Sequence, residues 1–277
     1  MKIYKVKSGI LIESEGVFYL DDSNWDEFFN DDNLISKTKD LISTKTPIEN
    51  GEDLIQNGLL PPIGSQEIWA SGVTYFNSKL ARQEESKDAG GGDFYARVYV
   101  ADRPELFFKS TAYRAIGSGG KVRIRKDSSW DVPEPELTLF ITSNGKIVGY
   151  TIGNDMSSRS IEGENPLYLP QAKTYDGSAS IGPCLYISEN PLAVETEIKM
   201  GINRNGVTVF EGKTTIGQIK RDLTELTSWL FREMSFPNGC FLMTGTGIIP
   251  SNDFTLHKED EIRITIEPIG TLVNFVD

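Results

Sequence analysis

The sequence predicts a mostly β, α+β protein. Strand-like runs of four to nine residues dominate beyond residue 66, a single long amphipathic helical pattern interrupts them, and Asn144-Gly145 between two apolar runs signals a tight hairpin. Its 277 residues, 38% hydrophobic and 25% charged, suffice for a sizeable core.

Elements follow in chain order. Residues 2 to 20, "KIYKVKSGILIESEGVFYL", alternate like a small hairpin, and residues 24 to 43 carry Trp25, Phe28, Phe29, Leu34, Ile35 and Leu41 at helical spacing. "PIENGEDLIQNGLLPPIGS" is rich in Pro, Gly and Asn and reads as a linker, so residues 1–65 form a small N-terminal α+β domain and linker, with the main domain at 66–277. After the strand-like "EIWASGVTY", the segment "NSKLARQEESKDAGGGDF" has few apolar residues and ends in three glycines, the composition of a surface helix and loop or a lid. Next come "RVYV", "ELFFKS", "KVRIR", "ELTLFI", "KIVGYTIG", "CLYI", "EIKMGINRNGVTVFEGK" and "EIRITIEPIG", all strand-like. The helix pattern "IGQIKRDLTELTSWLFREM" places Ile219, Leu223, Leu226, Trp229, Leu230 and Met234 on one face.

Composition excludes several function classes. A formal net charge of -12 argues against nucleic acid or an anionic membrane as the main partner, since both are bound by Lys and Arg. No apolar run approaches the roughly 18 residues of a membrane span, and no signal peptide is recognisable, so a cytoplasmic location is expected. Cys184 and Cys240 stand alone and read as buried small hydrophobes. His257 is the single histidine, which removes histidine-rich zinc sites, and its setting suits a strand or turn without catalytic work. Chemistry is left to carboxylates, lysine, hydroxyls and a hard metal.

The stretch "WDVPEPELTLF" puts Glu134 and Glu136 on one face of a strand, where two carboxylates repel. With Asn144 and Gly145 as a two-residue turn, Ile141 faces Val148, Leu139 faces Tyr150, and Leu137 faces Ile152, an apolar face directed to the core. By the same register Asp155 lies across from Glu134. Opposed Cβ atoms sit roughly 5 Å apart and diagonal ones about 7 Å, so three carboxylates converge. Such a cluster takes up a proton or a cation, and an all-oxygen set selects Mg²⁺, with Mn²⁺ or Ca²⁺ able to substitute. Pro135 suggests an edge or bulged strand end.

"EPELTLF", "GYTIGNDMSSRS", "LPQAK", "SIGPCL" and "MTGTGIIP", in this order, resemble the signature of the fumarylacetoacetate hydrolase family over residues 66 to 277. "SGVTYFNSKLARQEES", "RPELFFK" and "IEGENPLYLPQAKTYDG" are more similar to a branch of it that dehydrates 2-keto-3-deoxy sugar acids. The resemblance implies a β-roll of mixed sheets, a homodimer or homotetramer, and metal ligation by Glu134, Glu136 and Asp155. It further implies an active-site lysine at Lys173, an arginine at Arg159 and a substrate-side threonine at Thr246. Lys109 also matches a family lysine, with no role attached.

Two departures bear on mechanism. Hydrolases of the family carry a histidine three residues after the Tyr of "GxNYxxH", where this chain has Ser78, and often a Gln where it has Glu162. Without that base, hydrolysis of a diketo acid gives way to dehydration of a small-molecule 2-keto acid, 2-dehydro-3-deoxy-D-arabinonate, to 2,5-dioxopentanoate and water in pentose catabolism. Lys173 is the expected C3 base and Glu162 or Glu84 the acid at the leaving hydroxyl, while Ser78, Arg82, Arg159 and Thr246 bind substrate. Hydrolysis or decarboxylation of an acylpyruvate-type diketo acid is the alternative; a non-catalytic sugar-acid or metal binder is the alternative of another class.

Overall fold

The computed structural model describes residues 1–85 and 92–277, with the side chains of residues 81–94 outside that description. Two sheets carry the fold. The larger has ten strands in the order Val17–Asp21, Gly9–Ser14, Lys2–Val6, Ala179–Tyr186, Ile147–Asp155, Pro135–Ile141, Cys240–Met243, Glu67–Gly72 and Glu105–Thr111, with Leu59–Leu60 pairing onto Lys2–Val6. It is mixed, because Cys240–Met243 runs parallel to Glu67–Gly72 while its other neighbour is antiparallel. The smaller sheet has five strands in the order Val207–Thr215, Glu197–Arg204, Glu261–Ile266, Gly270–Val276 and Lys121–Val122.

One core lies between the sheets. Leu137, Leu139, Ile141, Tyr150 and Ile152 from the large sheet meet Ile198, Met200, Ile202, Ile262, Ile264 and Leu272 from the small one. The other face of the large sheet is covered by Trp25, Phe28, Phe29 and Leu34 from helices Trp25–Phe29 and Leu34–Thr44, which pack on Phe140, Phe241 and Met243. Burying large apolar side chains on both faces supplies roughly 1.5–3 kcal/mol each. Cys184 and Cys240 are both buried in the first core, as expected of small hydrophobes. His257 is exposed at a turn, its backbone N–H donating to Asp260 Oδ2 at 2.8 Å.

Several local expectations change. The N-terminal strands continue the large sheet, with Lys2 opposite Tyr186 and Ile3 opposite Leu185. The presumed linker contains a helix, Gly51–Gly58. "RVYV" is helical, at the end of Gly92–Val100, because the Arg221 guanidinium satisfies carbonyls there, donating to Ala101 O at 2.6 Å and Val98 O at 3.1 Å. The long amphipathic helix shrinks to Leu223–Leu230: Asp222 caps it by accepting from the N–H groups of Thr224 and Glu225, and Met234 is exposed.

The hairpin turn is also longer than Asn144-Gly145 implied. Gly145 N–H donates to Thr142 O and Thr142 N–H to Lys146 O, both at 2.9 Å, enclosing three residues with Gly145 at φ 78. Ile147 therefore faces Ile141, and Val148 turns to the opposite core. A bulge between Ile147 and Gly149 then restores the expected pairing, Tyr150 with Leu139 and Ile152 with Leu137. The extra turn residue and the bulge cancel, so the far end of the hairpin has the expected register.

Candidate active site

That far end holds the carboxylates. Asp155 N–H donates to Glu134 O at 2.9 Å, and Gly153 pairs with Glu136, so Glu134, Glu136 and Asp155 share one end of the ladder. All three are buried, and one carboxylate oxygen from each lies within 4.8 Å of the others, the scale of one cation's coordination sphere. The donor set is oxygen only, which fits Mg²⁺.

Pro135 does not mark an edge. The strand is interior, but Pro135 is its first residue, and the ladder to Cys240–Met243 reaches only as far as Thr138, with Thr244 N–H adding a bond to Leu137 O. The neighbouring chain has left the sheet before Pro135, so no donor is needed on that side. It leaves through Thr244-Gly245-Thr246, and Gly245 N–H donates to Glu136 Oε2 at 2.5 Å. Gly245 has φ 92, and a Cβ there would stand 2.0 Å from Thr74 Oγ1. Thr74 Oγ1 itself donates to Thr244 O at 2.6 Å, fixing the loop.

Cations surround two of the three carboxylates. Arg159 donates to Glu134 Oε1 at 2.8 Å, and Lys173 Nζ donates to Glu134 Oε2 at 2.7 Å and Asp155 Oδ2 at 3.1 Å. Lys109 Nζ lies 2.5 Å from Asp155 Oδ1, an ion pair out of line for a hydrogen bond. Burial pushes the Asp155 carboxyl upward, but Lys109 and Lys173 outweigh it and hold the group below its ordinary value. At Glu136, burial drives the carboxyl well above its ordinary range, and Asp155 and Glu134 push it further. A divalent cation is the partner that would let Glu136 ionise.

Local structure aims these groups. Ser158 accepts from Ile161 N–H and starts the helix Arg159–Glu164, placing Arg159 on its first residue. Lys173 is the last residue of Leu169–Lys173, whose first turn contains Pro170. Ser78, Arg159, Lys173 and Thr246 line the same cleft as the three carboxylates, together with Ser71, Val73 and Phe107. Ser78 Oγ donates to Tyr75 O at 2.7 Å, and Thr246 Oγ1 accepts from Ile248 N–H at 3.2 Å. Glu162 is buried but is not among the cleft-lining residues. Arg82 and Glu84 have side chains outside the described residues, as does much of the segment read as a surface helix or lid.

Sequence reasoning missed Ser157. Its Oγ is 2.5 Å from Lys173 Nζ and donates to Asp155 O at 3.0 Å, so it steadies the lysine against the strand that ends at Asp155. The signal was available, since Ser157 follows Asp155 by two residues and shares its side of the chain. Lys109 left a different trace: a lysine inside the apolar run "ELFFKS", fully buried in the structure.

A β-rich roll with a buried, oxygen-only cluster, a lysine and an arginine defines a class of hard-cation enzyme sites. Residues 68–277 match the family model described as fumarylacetoacetate (FAA) hydrolase C-terminal, and the chain belongs to that family. It is 49% identical over 216 residues to the probable 2-keto-3-deoxyxylonate dehydratase of Haloferax volcanii, covering 78% of this chain and 73% of that protein. With the 2-dehydro-3-deoxy-D-arabinonate dehydratase of Saccharolobus solfataricus it shares 42% identity over 219 residues, 76% of this chain and 72% of the relative. Among solved structures, 2-keto-3-deoxy-D-arabinonate dehydratase complexed with magnesium and 2,5-dioxopentanoate superposes with a TM-score of 0.85 at 33% identity, covering 100% of this chain and 99% of that one. No helix among the described residues is long and apolar enough to cross a membrane.

Proposed function

We propose that the protein is a hydro-lyase that dehydrates 2-dehydro-3-deoxy-D-arabinonate to 2,5-dioxopentanoate and water. The observation that carries this reading is the seating of Lys173 Nζ against Glu134 and Asp155 in a cleft where Ser78 stands at the hydrolases' histidine position. Kinship with dehydratases of both the arabinonate and xylonate acids supports it. With C2 a carbonyl and C3 a methylene, C4 is the one remaining stereocentre, so within one sugar series the two names describe the same compound.

Glu134, Glu136 and Asp155 would hold the cation. When bound, Mg²⁺ supplies Lewis acidity to the C1 carboxylate and C2 carbonyl of the substrate and acidifies the C3 proton. Lys173 takes that proton, and Glu162 or Glu84 protonates the C4 hydroxyl as it leaves as water. A C3–C4 double bond results. Transfer of a proton from C5 to C3 gives the C4–C5 enol, which tautomerises to the C5 aldehyde with no change of redox state. Arg159, Arg82, Ser78 and Thr246 bind the carboxylate and hydroxyl groups. The enzyme works as a homodimer or homotetramer in the cytoplasm.

Incubation with 2-keto-3-deoxy pentonates and with acylpyruvates, with and without Mg²⁺, tests the reading. An aldehyde formed from the deoxy acid only with the metal is expected. Pyruvate and a carboxylic acid from the diketo substrate, with no aldehyde from the deoxy acid, would replace dehydration by hydrolysis.

A further inference from the structure

Lys109 does not line the cleft, yet it is 0% exposed and touches both working parts of the site. Its Nζ pairs with Asp155 Oδ1 at 2.5 Å, donates to Met156 O at 2.9 Å, and donates to Lys173 O. These contacts join the strand Glu105–Thr111 to the end of the ligand strand, 47 residues away, and to the end of the Leu169–Lys173 helix, 64 residues away. Two of the ammonium's three N–H donors bond backbone carbonyls and the Asp155 carboxylate packs against it, so Lys109, fully buried and outside the cleft-lining residues, is not placed to touch a substrate.

We infer that Lys109 is a positioning residue, which sets the rotamer of Asp155 and the placement of Lys173 so that the three carboxylates can close on one cation. The inference rests on reading Glu134, Glu136 and Asp155 as a divalent-cation site. Stability alone is a poor reason for Lys109, because a buried ion pair is often no better than an apolar replacement of similar volume. Position is a better one. Asp155 Oδ2 is shared with Lys173, and Lys109 on Oδ1 fixes the rotation of the carboxylate about its last bond. Met156 O and Lys173 O anchor the ammonium itself, and a cation at the last carbonyl of a helix is favourably placed.

Simple electrostatics predicts the opposite effect on the metal. A fixed cation beside Asp155 repels Mg²⁺ or Mn²⁺, so if charge were all that Lys109 contributed, its removal would tighten metal binding. Positioning predicts weaker binding on removal.

The test is Mn²⁺ titration of the full-length, chelator-stripped protein, followed by the electron paramagnetic resonance signal of free Mn²⁺, for wild type, Lys109→Met and Lys109→Gln. Lys109→Met should raise the Mn²⁺ Kd about tenfold or more, the scale of removing a group that orients a ligand. Lys109→Gln, which keeps two N–H donors, should fall between it and wild type. A Kd unchanged or lowered in folded Lys109→Met overturns the inference. If only that variant fails to fold, Lys109→Gln decides by the same criterion, and failure of both to fold overturns the inference in favour of a purely structural role. No substrate is needed, so the outcome is separate from whether the reaction is dehydration.

Discussion

Asp155 sits directly across the ladder from Glu134, its N–H 2.9 Å from the Glu134 carbonyl, and Lys173 Nζ reaches a carboxylate oxygen of each. This pairing puts one strand end, the opposing strand end and a helix terminus around a single point. Removing any one of the three should have a separable consequence.

Among the described residues Glu136 has no cation of its own against its carboxylate, only the Gly245 N–H at 2.5 Å. Glu136→Gln should weaken Mn²⁺ binding and turnover at least about 100-fold, more than the loss of an orienting neighbour would. The metal-free variant should unfold no earlier than wild type, because an amide ends the repulsion from Asp155 and Glu134. Titration and thermal melts measure the two effects; full turnover of the variant in excess chelator would exclude the triad as the metal site.

Lys173→Ala should abolish both turnover and exchange of C3 deuterium in the substrate. Loss of the leaving-group acid, tested in Glu162→Gln and Glu84→Gln, should stop turnover in one of the two and leave measurable exchange. Lys173 is also the shared counter-ion of two buried carboxylates, and breaking such a contact costs about 3–5 kcal/mol. The metal-free alanine variant should melt correspondingly earlier, and an unaltered melt would mean that the ion pairs are not held in solution.

Gly245→Ala should be among the most damaging single substitutions outside the carboxylates. The new Cβ meets Thr74 Oγ1 at 2.0 Å in a backbone of φ 92, so the loop must move and withdraw its N–H from Glu136. Thr74→Val isolates the milder half by removing the hydrogen bond to Thr244 O, at a cost of about 1 kcal/mol. Chemical denaturation should order the three proteins wild type, Thr74→Val, Gly245→Ala, from most to least stable.

Asp131 gives a pH signature outside the triad. Burial raises its carboxyl from 3.8 to about 6, and among the described residues Oδ1 has no hydrogen-bond partner. The fold therefore prefers the protonated group. That contribution is complete below pH 3.8 and is lost as pH rises through about 6. Asp131→Asn should escape the loss and gain on the order of 1 kcal/mol over wild type at pH 7, with little difference at pH 4. Melts across this range that stay parallel would contradict it.

Much of the site was readable because the relevant forces are local and periodic. Alternation along "PELTLF" and "VGYTIGND" buries Leu137, Leu139, Tyr150 and Ile152 on one side, and a slip of one residue would turn one strand's set out of the core. That constraint is strong enough to absorb a turn one residue longer than Asn144-Gly145 suggested, through the bulge at Val148. Mostly β content, mixed sheets and three converging acids follow from such patterns and from the ordered motifs.

Contacts between chain-distant elements needed the tertiary structure. Periodicity states which side of a strand Lys109 occupies, but not that Asp155, Met156 and the end of a helix at Lys173 converge on it. Nor does composition reveal that "RVYV" is helical, a choice settled by Arg221 binding the carbonyls at its end, or that Pro135 opens an interior strand whose neighbour has already turned away. The sequence by itself determined the three converging carboxylates, their register and the mostly β fold, because burial and strand alternation act between residues close along one hairpin. Only the tertiary structure decided which cations face which carboxylate oxygens, since those distances depend on how separate segments pack and no spacing along the chain encodes them.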